Sequence, residues 1–205
     1  MNAVLRNLIA VGALGLLTAC ASQFSTDYAE SVNPAVSKTW RVAQVQVVVP
    51  DSLTVSNEND LVPKADIVWQ EDPLGDRRAQ VATIMKRAVS AGAAGLRGSR
   101  RVNFLVTVQR FHALTPAAQA LKYDNVGVLN IDFTISVTDA RTGKVLIAPE
   151  LIVAAMPGRT GDSAIAAQEA GLTQKIEIQT HVRDVIAGWL GIGPDVRGTF
   201  TRIGA

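Results

Sequence analysis

The sequence predicts a two-layer α+β domain in the order β-α-β-β-β-α, with a mainly antiparallel sheet and two long helices on one face. Three observations carry this. Leu129, Ile131, Phe133, Ile135 and Val137 alternate with Asn130, Asp132, Thr134, Ser136 and Thr138, so a strand there buries one face and wets the other. Val81, Ile84, Met85, Ala88 and Ala91 recur at helical spacing, and so do Ile165, Leu172, Ile176, Val182, Ile186 and Trp189. A polar sheet face leaves only the opposite face for both helices.

The elements follow in order. Ala21 to Lys38 is polar and rich in small residues, and reads as a tether. Val45, Val47 and Val49 then alternate with Gln44, Gln46 and Val48 in a strand that Pro50 stops. Residues 50–72 form a long connection with Asp51, Glu58, Asp60, Pro63 and Asp66, in which Ile67-Val68-Trp69 suits a short edge strand. Asp72 and Pro73 read as the cap and first residue of a helix over 73–95, closed by Gly95 and Gly98.

Val102, Phe104, Val106 and Val108 alternate with Asn103, Leu105 and Thr107, whereas Phe111 falls on the opposite parity. A bulge near Gln109-Arg110 reconciles the two. Thr115-Pro116 is a cap-and-start pair for a short helix over 116–122. Asp139 to Lys144 reads as a hairpin turn in which Gly143 supplies a positive φ, and Val145 to Ala155 returns as the partner strand. Asp162 is the expected cap of the last long helix, and Gly191 its stop.

The first twenty residues have a different layout. Arg6 precedes a run from Leu8 to Leu17 that is apolar or glycine, then small residues and Cys20, the single cysteine of the chain. That run is too short to cross a hydrocarbon core of about 30 Å and has the three parts of an export signal. Leu17-Thr18-Ala19-Cys20 resembles the bacterial lipobox. The resemblance implies that the cysteine sulfur receives a diacylglycerol, that residues 1–19 are removed, and that the new amino terminus is acylated too. The expected organisation is therefore a signal peptide over 1–19, a lipidated tether over 20–38, one domain over 39–191 and an irregular tail over 192–205. In enteric lipoproteins an aspartate after the cysteine retains the protein in the inner membrane; Ala21 in that position points to the outer membrane, with the periplasmic side of the inner membrane as the alternative.

Composition narrows the function classes. A formal net charge of +2, with no run of five or more basic residues, gives no electrostatic footprint for nucleic acid. Lipidation of Cys20 would leave no thiol for a disulfide, so stability has to come from the core. The two histidines, His112 and His181, lie in no zinc-ligand spacing, and no cofactor is expected.

Catalytic patterns are thin. Gly161-Asp162-Ser163 resembles the nucleophile block of GDSL-type esterases, but that family carries Asp-x-x-His near its carboxyl end, and here Ile178 stands three before His181. Helix capping is the better reading. Glu71, Asp72 and Asp76 stand beside a helix start, where acids favour the helix dipole, with Arg77 and Arg78 adjacent. Gly191-Ile192-Gly193 lacks the following residues of a phosphate loop. Arg97, Arg100 and Arg101 cluster near the expected helix end, either as cations on its dipole or as contacts to anionic lipid or glycan. Trp69, Leu121 and Tyr123 stand out in the long connections, either as packing under a loop or as a partner surface.

The segment Ile67-Val68-Trp69-Gln70-Glu71-Asp72-Pro73-Leu74-Gly75-Asp76-Arg77 is similar to that of uncharacterised envelope lipoproteins of alphaproteobacteria. The expected layout also resembles accessory lipoproteins of outer-membrane assembly and transporter systems, which bind a larger partner or a lipid. The sequence-level expectation is therefore a non-enzymatic, membrane-anchored accessory protein with an envelope partner, of open oligomeric state. Its rival is an envelope hydrolase acting on glycan or lipid.

Overall fold

The computed structural model describes residues 22–202, so the expected signal over 1–19 and the lipidation site Cys20 lie outside the described residues. The elements are β1 (Ser22–Tyr28), α1 (Pro34–Ser37), β2 (Trp40–Val48), β3 (Val55–Ser56), β4 (Ile67–Val68), α2 (Arg77–Gly92), β5 (Arg100–His112), α3 (Pro116–Gln119), β6 (Gly127–Asp139), β7 (Val145–Ala154), β8 (Met156–Gly158), α4 (Asp162–Glu169), α5 (Gln174–Trp189) and β9 (Gly198–Arg202). It is a mixed α+β fold with an open, mostly antiparallel sheet in the order β3-β4-β5-β6-β7-β1-β9. β2 joins β5 in parallel, and β8 pairs with β6.

The strand with the strictest alternation sits at the centre. Leu129, Ile131, Phe133, Ile135 and Val137 of β6 are buried, together with Val102, Phe104, Val106, Val108 and Phe111 of β5. A register shift between Val108 and Arg110 lets Val108 and Phe111 both face inward, as their opposite parity requires. These rows form one core with Val81, Ile84, Met85, Ala88 and Val89 of α2 and Ile178, Val182, Val185, Ile186 and Trp189 of α5. The two helices meet at Gly92, where a Cβ would stand 2.5 Å from the Arg183 carbonyl oxygen.

Four expectations change. The expected tether contributes β1, which pairs with β7 and β9; the Thr26 hydroxyl donates to the Ala155 carbonyl and the Tyr28 hydroxyl to Asp195. The expected irregular tail contributes β9 to the same edge. α2 starts at Arg77, capped by Asp76, which accepts from the Ala79 amide at 3.0 Å. Asp72 instead accepts from Trp69 Nε1 at 2.8 Å and pairs with the Lys175 ammonium. The last long helix is two: Gly171 at φ +74° breaks it, Thr173 caps α5, and Gly161 at φ +64°, not Asp162, holds the cap position of α4.

Strand direction gives the domain two ends. β5 ends at His112 beside the start of β6, β7 runs toward the end at which β1 starts, and β9 ends with Arg202 opposite Ser22. Ser22, Arg202, His112 and Gly127 therefore share one end. Arg100, Asp139, Val145 and α1 share the other.

Candidate functional site

The sheet face turned away from α2 and α5 is left open by the fold. Cross-strand register sets its rows: Gln44, Asn103, Thr138 and Val145; Gln46, Leu105 and Ser136; Val48, Thr107, Thr134 and Leu151. It is a hydroxyl and amide surface interrupted by aliphatic side chains. Leu105 is 41% exposed and Leu151 48%, with Val48 and Val145 exposed as well. Apolar side chains at outward parity were the signal in the sequence, since Val48 and Leu105 occupy positions that alternation reserves for polar residues.

Charge marks the ends of this face. Arg41 and Arg101 are register partners at one end. At the other, Asp132 lies opposite Arg110, 4.0 Å away, with His112 opposite Asn130. Asp132 Oδ1 is buried without a hydrogen-bond partner, and burial pushes its carboxyl above the ordinary carboxylate range against the pull of Arg110 and His112.

The singled-out residues fall into different settings. Trp69 is buried and is no surface contact: its ring meets Phe111 edge to face at 5.8 Å, and Lys175 lies 5.8 Å from its centroid. With Asp72 and Lys175 it fastens the 50–72 connection to α5, because long-range partners outcompete solvent for the indole. Arg97 is exposed in the connection after α2, Arg100 pairs with Asp139 at 2.9 Å, and Arg101 lies on the open face. Since α2 closes at Gly92, none of the three sits in its last turn. Tyr123, 73% exposed, stands at the opposite end of the sheet from those arginines.

The side chains of the catalytic patterns are each engaged in architecture. Ser163 Oγ lies 2.7 Å from the Thr160 carbonyl and 3.0 Å from Asn125 Oδ1. His181 packs elsewhere, 3.1 Å from Thr26 Oγ1, and its burial pushes the imidazole below its ordinary range. Glu71 accepts from the Lys175 amide, Asp72 from Trp69 and the Lys175 ammonium, and Asp76 from Ala79, so each acid serves as a fastening or a cap. Among the described residues no three His, Cys, Asp or Glu side chains converge as a cation site. Among the same residues no helix is long and apolar enough to cross a membrane. An open groove of about 510 Å³ separates α3 from α4, lined by Pro116, Leu121, Lys122, Ala164, Ile165 and Gln168.

Solved structures similar to this chain include the following three. A candidate lipoprotein from Caulobacter crescentus CB15 is 16% identical over 77% of this chain and 94% of its own, with a TM-score of 0.34. PelC from Paraburkholderia phytofirmans, a dodecamer, is 12% identical over 81% and 96%, with a TM-score of 0.34. A Xanthomonas campestris protein of the DUF330 family is 14% identical over 81% and 91%, with a TM-score of 0.45. No curated protein matches the chain by sequence. Residues 40–205 match the family of unknown function DUF6778, and the chain belongs to that family.

Proposed function

We propose that this chain is a non-enzymatic lipoprotein of the bacterial envelope, anchored through Cys20 at the periplasmic face of the outer membrane. In this reading it holds an envelope protein on the open face of its sheet. The observation that carries the accessory role is the surface of Gln46, Val48, Leu105, Thr107, Thr134 and Leu151, broad and mixed in polarity in the manner of a protein–protein interface. The structural engagement of Ser163, His181, Glu71, Asp72 and Asp76 supports a binding role over hydrolysis. The anchor rests on Leu17-Thr18-Ala19-Cys20 behind an apolar run.

Two measurements test it. Cys20→Ser should abolish fatty-acid labelling and membrane fractionation; persistence of either defeats the anchor. A photo-crosslinker at Leu105, in intact envelopes, should capture a defined neighbour that the same probe at exposed Lys86, on α2, does not. Equal capture from both sites, or none from Leu105, defeats the partner face.

A further inference from the structure

We infer that the end of the sheet where β1 begins lies directly against the lipid surface, with Leu61, Val62, Tyr123 and Ile165 as its contact residues. The inference rests on the anchor at Cys20 and specifies how the domain stands on it.

Chain length comes first. Ser22 is held in the sheet opposite Arg202. Only Ala21 separates it from Cys20, and two residue steps span at most roughly 7 Å. The headgroup region adds a layer of similar depth to each side of the hydrocarbon core. With residues 22–28 in β1 there is no tether long enough to hold the domain away from the membrane. The end carrying Ser22 has to meet the lipid.

That end is built for the contact. The connections leaving His112 of β5 and entering Gly127 of β6 emerge there, followed in space by β8 and α4. The 57–66 stretch is fixed to the same end, because Asn59 Oδ1 accepts from the Ala117 amide and the Asp60 carbonyl accepts from the Thr115 hydroxyl. The 121–125 stretch is fastened to α4 by the Thr160 hydroxyl on the Tyr123 carbonyl and the Ser163 amide on Asp124. On these stretches Leu61, Val62, Tyr123 and Ile165 are exposed. Fixed backbones presenting exposed aliphatic and tyrosyl side chains suit the boundary between headgroups and acyl chains, where an amphipathic ring keeps its hydroxyl wet.

This end carries no basic patch: Lys64, Lys122 and Arg202 stand among Glu58, Asp60, Asp66, Asp124 and Asp162. The contact is therefore apolar in origin and does not select anionic lipid. Arg97 and Arg101 stand at the far end of the sheet, remote from the bilayer, and the open sheet face stands upright and clear of it.

The test uses the full lipidated chain in phosphatidylcholine vesicles containing brominated lipid. The three native tryptophans, Trp40, Trp69 and Trp189, are buried and supply a constant background. A reporter is added as Tyr123→Trp, or as Val36→Trp on exposed α1 at the opposite end. Both chains should float with the vesicles. Fluorescence quenching by brominated lipid should be at least twofold greater for Tyr123→Trp and should persist in 0.5 M salt. Adding Leu61→Asp and Val62→Asp should lower that quenching toward the Val36→Trp level without changing flotation. Equal quenching of the two reporters on floating protein overturns the orientation while sparing the anchor, and leaves that end to a second copy or another protein. Quenching indifferent to the two aspartates overturns the assignment of contact residues. Failure to float overturns the anchor and the orientation together.

Discussion

Asp132 is a carboxylate held at a cost on the open sheet face. Its buried Oδ1 lacks a partner, and desolvation raises its pKa above the unfolded value. A raised acid binds its proton more tightly in the folded state, so stability falls as pH rises through the carboxylate range. Asp132→Asn should therefore stabilise the protein at pH 7, with the gain vanishing below pH 4; denaturant midpoints across pH read it directly. Asp139 behaves oppositely. The Thr142 amide first, then the Arg100 guanidinium and the Arg141 amide, hold its carboxyl well below the usual range. Its contribution is complete above the unfolded pKa and is lost as pH falls through the folded one. Asp139→Asn should accordingly flatten the acid limb of the stability profile below pH 4. An unchanged limb would mean that the turn does not depend on the charge.

At the scale of elements, legibility followed how much of an element's stability is local. The alternation of β6, the bulge in β5, the Thr115-Pro116 helix start and the turn before Lys144 each leave a complete signature within a few residues, and each is present. β1 and β9 leave almost none: Ser22–Tyr28 offers only Phe24 and Tyr28 as large apolar residues, and Gly198–Arg202 only Phe200. Their order comes from pairing across the chain, including the Phe24–Phe200 stack at 5.6 Å, which local periodicity cannot register. The α2 cap, expected at Asp72 and found at Asp76, was misread for a related reason. Two aspartates precede the helix, and the choice between them depends on Trp69 and Lys175, both outside it. Asp76→Ala should cost about 1 kcal/mol in unfolding free energy, as loss of a helix cap does. At Gly92 an added methyl would press on the Arg183 carbonyl and Ile186, so Gly92→Ala should cost about 1–3 kcal/mol through overpacking between α2 and α5. Unfolding free energies within experimental error of the unsubstituted chain would remove the cap or the close approach from the account.

On the scale of the whole molecule, one layer of helices on an open sheet leaves a choice for the second face: it is either solvated or covered by another protein. Its residues separate the two through stability and binding measured side by side. Leu105 and Leu151 contribute little to the domain's own core because their side chains project from the far side of β5 and β7. Exposed substitutions of this kind usually change stability by no more than about 0.5 kcal/mol. The Leu105→Lys, Leu151→Lys chain should therefore unfold at nearly the parental denaturant midpoint. It should also lose the neighbour captured by a photo-crosslinker at Thr107, which lies beside Leu105 on β5 and in the same cross-strand row as Leu151. A surface that is merely solvated would give the first result without the second. A marked drop in midpoint that deepens on dilution would instead identify the covering protein as a second copy of this chain, because an interface between copies couples stability to concentration.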